Sequence, residues 1–203
     1  GYSYEYLQKI ASYTGWRYEY VYGDWPDLYQ MLVDGEIDLL AGVSDPEHRS
    51  DEVNFPDEDM LQETFYIYKR NNDSTIQYND LSSCSGKTIG LTQSKNMVSR
   101  LQTWLEQNQV DVNVTYFDNN TDCISALYQG TVDAIVSADN IVSNYTGMFP
   151  VFKIGKEPYY LCTAKNRTDL LGQLNNALPM IEEQDSSFMT KLRLEYSVDT
   201  AVS

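Results

Sequence analysis

Histidine occurs once, at His48, and cysteine three times, at Cys84, Cys123 and Cys162, in a chain of 203 residues. A single histidine excludes a multi-histidine metal site and leaves a catalytic triad little to work with. The cysteines form no CxxC pair, so no metal site is expected. An odd count argues against a disulfide framework; one pair could bridge in an oxidising compartment, and otherwise the three read as small buried residues. Basic residues are scarce: 14 Lys and Arg face 30 Asp and Glu, a formal net charge of −16. A nucleic-acid binder needs a basic face, so no nucleic-acid partner is expected. The negative charge serves solubility or steers a cationic ligand. No apolar run approaches the roughly 18 residues of a membrane span, and no signal-peptide pattern opens the sequence. If the parent protein is exported, its signal or anchor is expected to lie outside this stretch.

What is present is ordinary globular composition, with 42% hydrophobic and 22% charged residues. Tyrosine is abundant at 17 residues, and its apolar ring and polar tip suit clefts for polar small molecules. The most informative feature is an internal repeat. Trp16 to Asp45 and Val110 to Asp139 share one pattern. Each copy opens with a β-branched and aromatic run, Arg17 to Tyr22 and Val112 to Phe117, which alternates as a strand does. Each continues with a helix-start residue, Asp24 or Asn119, and a short amphipathic helix ending at Gly35 or Gly130, 11 residues later in both. Glycine there can take the left-handed conformation that terminates a helix. The phrases Glu36-Ile37-Asp38-Leu39-Leu40 and Thr131-Val132-Asp133-Ala134-Ile135 follow, each an apolar run fit for a buried parallel strand. Two strand–helix–strand units with Asp38 and Asp133 95 positions apart imply two similar α/β lobes.

The second copy is preceded by a strand, Lys87 to Leu91, and a helix, Lys95 to Asn108, with Met97, Leu101, Trp104 and Leu105 at helical spacing. The first copy has the matching helix, Ser3 to Thr14, carrying Tyr6, Leu7, Ile10 and Tyr13, but not its leading strand, which is expected upstream of Gly1. Its absence would leave a sheet edge open. Phe65 to Lys69 and Tyr159 to Ala164 read as hinge crossings between lobes. The tail reads as a helix, Asp169 to Glu183, capped by Thr168. The expected organisation is therefore residues 1–65 as the first part of lobe 1, 66–159 as lobe 2, and 160–203 as a return strand and C-terminal helices packing on lobe 1. Two crossings make a hinged clamp whose closure buries a ligand.

Gly42-Val43-Ser44-Asp45-Pro46-Glu47-His48-Arg49, followed by Val53-Asn54-Phe55-Pro56, resembles the type II periplasmic solute-binding proteins for amino acids (family 3), in which a G-x-[ST]-x-x-x-x-R segment precedes an apolar strand. The resemblance spans nearly the whole chain, through Asp24-Trp25, GKTIGL, GTVDAIVS and YYLCTAKN, and is closest to sensor domains of bacterial signalling proteins. It implies an α/β fold of two Rossmann-like lobes joined by two hinge strands. It implies that Arg49 pairs with a ligand carboxylate, that Ser44 and the backbone at Gly42 add hydrogen bonds, and that Trp25 stacks on the ligand side chain. A guanidinium suits the first role because it offers two parallel hydrogen bonds. The residues by themselves also permit a salt-bridge cluster of Arg49 with Asp45, Glu47, Asp51 and Glu52, and a packing role for Trp25. In lobe 2 the family's glycine-threonine is replaced by Ser94 and Lys95, at the start of a helix where unpaired N–H groups can meet an anion. The family's ammonium-binding aspartate falls by direct spacing on Ala138, with Asp139 one step later. Either Asp139 serves, or the ligand is not a free α-amino acid.

The expected function is thus extracytoplasmic binding of a small polar ligand carrying a carboxylate, with no cofactor. The domain would be the sensor module of a membrane-anchored signalling protein or the receptor of an importer. An enzyme on this fold needs a paired acid and base. Asp45, Glu47 and Asp139 are the candidates, and nothing in their spacing marks a catalytic pair.

Overall fold

The computed structural model describes residues 1–195. In chain order the first elements are α1 (Tyr2–Thr14), α2 (Trp25–Val33), β1 (Leu39–Val43), α3 (Pro46–Arg49), β2 (Val53–Asn54) and β3 (Leu61–Arg70). A 3-10 turn (Leu81–Cys84) leads to β4 (Thr88–Thr92), α4 (Lys95–Asn108), β5 (Asn113–Phe117), α5 (Asn120–Gln129), β6 (Ala134–Ala138) and α6 (Asp139–Val142). The last elements are β7 (Met148–Ala164), α7 (Thr168–Gln184) and α8 (Ser186–Glu195). The chain divides into two compact units, Gly1–Gln62 with the chain from Glu157 onward, and Glu63–Lys156. The two passages between them lie within β3 and β7.

The second unit shows most directly how sequence becomes fold. Its sheet runs β3, β6, β4, β5, with β6 antiparallel to β3 and parallel to β4, and β4 parallel to β5. Successive strand side chains point to opposite faces. Ile67, Ile89, Leu91 and Val136 therefore join Met97, Leu101 and Trp104 of α4 in one core. Tyr68 and Ile135 join Cys123, Ile124 and Leu127 of α5 in another. Asn119 caps α5 by accepting the Asp122 backbone N–H at 2.8 Å, and Gly130 ends it with φ +78°. Gly90 lets β5 approach closely: a Cβ there would lie 2.8 Å from a ring carbon of Phe117, which would have to move.

In the first unit, Tyr2, Tyr6 and Ile10 of α1 pack with Leu174, Leu178 and Ile181 of α7 and with Met189 and Leu192 of α8. A second cluster joins Leu32 of α2 to Val43, Val53, Cys162 and Ala164. The end of β7 pairs antiparallel with both β1 and β2.

Three expectations need correction. Arg17 to Tyr22 is not a strand: it lies outside any ladder, because no strand among the described residues runs beside it as β4 runs beside β5. The Leu39–Leu40 run is a strand, but its described pairing is antiparallel, with β7; the parallel pairing of the repeat occurs only for β6. The tail helix α7 begins at Thr168 itself, with Arg167 as its N-cap residue.

All three cysteines are free and buried. Among the described residues no helix is long and apolar enough to cross a membrane, and no group of three His, Cys, Asp or Glu side chains is arranged to hold a metal ion.

Candidate functional site

In the first unit the turn after β1 and the start of α2 bring the expected residues together. Gly42 has φ +76°, and the β1–β7 register shifts between Leu40 and Val43, so the strand bulges where it leaves the sheet. Asp45 follows in the left-handed region, φ 62°, a conformation aspartate tolerates better than most residues. This turn starts α3, whose last residue is Arg49.

The half-buried Arg49 guanidinium lies over two aromatic rings, with its carbon 5.1 Å from the Trp25 ring centre and 4.7 Å from that of Tyr29. Those rings stack on each other at 5.3 Å and 19°, as α-helical residues four apart can. Nη1 of Arg49 makes a long bond, 3.4 Å, to the Ser44 carbonyl. No carboxylate of the described residues comes within ion-pair distance of Arg49. Asp45 instead pairs with His48 at 2.8 Å and raises the pKa of that exposed imidazole. Glu52 accepts the Tyr29 hydroxyl at 2.9 Å. Burial and that hydrogen bond push the Tyr29 pKa up to about 12, so the hydroxyl stays a donor at neutral pH. Trp25 packs one side on the Leu32 and Val43 cluster, and its buried Nε1 has no hydrogen-bond partner. The salt-bridge cluster is thus not formed around Arg49, and Trp25 is both a packing residue and a wall for the guanidinium.

In the second unit, Ser94 is the N-cap residue of α4 and makes no side-chain cap; it and Lys95 are exposed at the helix start. Ala138 is fully buried, whereas Asp139 is exposed. Asp139 Oδ1 accepts two backbone N–H groups, from Thr64 at 3.1 Å and Asn140 at 3.0 Å. Beside it, Ser137 Oγ and Asn140 Oδ1 are buried without hydrogen-bond partners, which is costly in a folded protein and common where a ligand completes the set. Sequence reasoning did not find Ser137, Asn140 or Tyr29. Only Tyr29 left a signal, its position four residues after Trp25.

Two α/β units, linked through two strands and built on a shared repeat, define the type II periplasmic-binding fold. The model of the bacterial extracellular solute-binding proteins, family 3, matches residues 1–189, and the chain belongs to that family. A probable histidine-binding protein of Campylobacter jejuni subsp. jejuni is 25% identical over 154 residues, 74% of this chain and 56% of that protein; the chain thus spans little more than half the length of this relative. Among solved structures, the probable amino-acid ABC transporter extracellular-binding protein ytmK of Bacillus subtilis superposes with a TM-score of 0.79 at 19% identity, over 98% of this chain and 88% of that one. The second substrate-binding domain of a putative amino acid ABC transporter from Streptococcus pneumoniae gives 0.76 at 18% identity, over 97% and 89%. A histidine kinase sensor domain with similarity to periplasmic binding proteins gives 0.63 at 20%, over 97% and 85%.

Proposed function

We propose that this domain binds an amino acid or a similarly small carboxylate outside the cytoplasm, with Arg49 as the carboxylate anchor. The observation that carries this is the unpaired guanidinium. Arg49 has five N–H donors in a fixed fork, two aromatic rings hold it flat, and one long bond to the Ser44 carbonyl is its described partner. A half-buried cation in that state favours an anion with two acceptor oxygens. The histidine-binding relative and the amino-acid transporter proteins of the same fold support the ligand class. The family's extracellular character supports the location. Asp45 is taken up by His48, and one oxygen of Asp139 by backbone N–H groups, which favours a binding protein over an enzyme.

The bound domain would report to a membrane partner. A signalling protein has support from the kinase sensor domain, and an importer has equal support from the transporter proteins. The test of the shared reading is calorimetric titration with the amino acids, histidine and arginine included, and with their des-amino analogues. Arg49→Ala should lose about 2–5 kcal/mol of binding for every carboxylate that binds. Unchanged affinity in that variant would remove the assignment.

A further inference from the structure

In the first unit, α1, α7 and α8 enclose a cavity of about 290 Å³ together with residues 57–59. None of Trp25, Tyr29, Ser44 and Arg49 lines it. Its apolar wall is Leu178 and Ile181 of α7 with Met189 of α8, all buried. Its polar wall is Asp57, Glu58, Asp59 and Glu182, with Lys9 and Arg193 beside them. The volume is close to the lower end of the range for small-molecule pockets.

Two independent observations give the cavity a chemistry. The first is its charge. Lys9 is already taken up, paired with Asp185 at 3.2 Å and lying over the Phe188 ring. Arg193 bonds to the Tyr2 hydroxyl. None of the four lining carboxylates forms an ion pair with a described residue. Burial and then the charges of Glu182, Asp59 and Asp57 all act against ionisation of Glu58, and no cationic group offsets them. The second is Tyr6, only 2% exposed, which lines the cavity and whose buried hydroxyl has no hydrogen-bond partner. The charges of Asp59, Glu58 and Arg193 act on that hydroxyl, which puts it at the cavity end of the side chain. Burial raises its pKa, so it stays a neutral hydroxyl with lone pairs to offer. A buried polar group left unpaired is costly, and a ligand that pairs with it relieves the cost. Among the described residues no three carboxylates are arranged for a metal ion, and the apolar wall calls for a carbon skeleton.

We propose that this cavity is a second ligand site, which takes a small primary amine with a short apolar body. The ammonium lies among Glu58, Asp59 and Glu182 and makes charge-assisted hydrogen bonds to them. The Tyr6 oxygen accepts one of its N–H groups. The apolar body covers Leu178, Ile181 and Met189. A cation here removes the repulsion among the carboxylates, which an anion or a neutral molecule cannot do. The site shares no residue with the Arg49 stack, so it stands or falls apart from the carboxylate assignment.

The test titrates the chain at pH 7 with 2-phenylethylamine, and with 2-phenylethanol as its neutral counterpart, following amide chemical shifts. The amine should shift residues 57–59 and 182, and the alcohol should bind at least about tenfold more weakly. Glu58→Gln combined with Glu182→Gln keeps the shape and removes two charges; it should weaken the amine at least about tenfold. Tyr6→Phe should weaken it about fivefold, with a thermal midpoint no lower than that of the wild type, because the substitution removes an unpaired buried group. Circular dichroism checks that every variant folds. Arg49→Ala should leave amine binding unchanged. No binding of the amine, or full affinity in the double glutamine variant, overturns the proposal. Loss of amine binding in Arg49→Ala would move the amine to the carboxylate site and overturn it equally. Ammonium chloride reproducing the same shifts would reduce the effect to diffuse attraction by a chain of net charge −16, and would overturn it too.

Discussion

Asp133 and Thr88 bond to each other twice: the Thr88 N–H donates to the Asp133 carboxylate at 2.8 Å, and the Asp133 N–H donates to the Thr88 carbonyl at 2.9 Å. The aspartate of the GxxD phrase thereby fixes where β4 starts relative to β6. Asp133→Ala strands the Thr88 N–H and should cost about 1–3 kcal/mol, whereas Asp133→Asn keeps an acceptor and should cost less. Urea unfolding of both variants checks this; equal, negligible losses would remove this pair of hydrogen bonds as a determinant of the second unit.

The Arg49 stack separates charge from geometry. Arg49→Lys keeps the positive charge but loses the planar fork and its stacking on Trp25 and Tyr29. Carboxylate binding should fall at least about tenfold, toward the level of the alanine variant. Tyr29→Leu removes one ring and should weaken binding by about 1 kcal/mol. Calorimetry on both variants decides it, and a lysine variant with full affinity would show that a point charge suffices.

Much of this was legible in the sequence for identifiable reasons. Gly35 and Gly130 end their helices with φ of +76° and +78°, because the left-handed conformation leaves a strong compositional mark. The Met97, Leu101 and Trp104 stripe gave α4 because it faces a sheet built from adjacent sequence. The strand expected at 17–22 failed because alternation specifies a face, while a ladder needs a neighbour as well. Asp24 and Asn119 occupy equivalent positions, yet only Asn119 caps with its side chain. Ser137 and Asn140 were invisible because burial without a partner is a property of packing, and no spacing records it.

Glu58 gives a pH prediction. Burial, then the carboxylates of Glu182, Asp59 and Asp57, raise its pKa above the ordinary glutamate value. A folded-state pKa above the unfolded one means that the ionised form disfavours folding. The stability this group contributes is present at low pH and lost as pH rises through the folded value. Glu58→Gln should therefore stabilise the protein at pH 7 and make no difference once Glu58 is protonated. The side chain is half-buried and screened, so the gain should stay below about 1 kcal/mol, about 2–4 °C at most. Midpoints of both proteins across pH 3–8 check it; a constant difference, or a loss at pH 7, contradicts the electrostatic account.

Burial raises all three thiol pKa values, that of Cys84 to about 11 and that of Cys123 to about 12, and Cys162 likewise upward. A thiol is nucleophilic only as thiolate. The native protein at pH 8 should therefore react slowly with an aromatic disulfide reagent and release three equivalents only on unfolding. Rapid stoichiometric labelling of any one of them in the native state would show that its burial is transient.

Asp139 carries the question of the ligand's amino group. Its Oδ1 is committed to the Thr64 and Asn140 N–H groups, and the side chain is exposed, so the second oxygen remains for a cation. Asp139→Asn can keep the acceptor at Oδ1 while removing the charge. If Asp139 holds a ligand ammonium, this variant should unfold at nearly the wild-type midpoint, weaken an α-amino acid by about tenfold or more, and leave the des-amino acid unchanged. Equal effects on the two ligands would mean that the carboxylate alone is recognised, and that burial of Ala138 at the family's aspartate position has changed specificity.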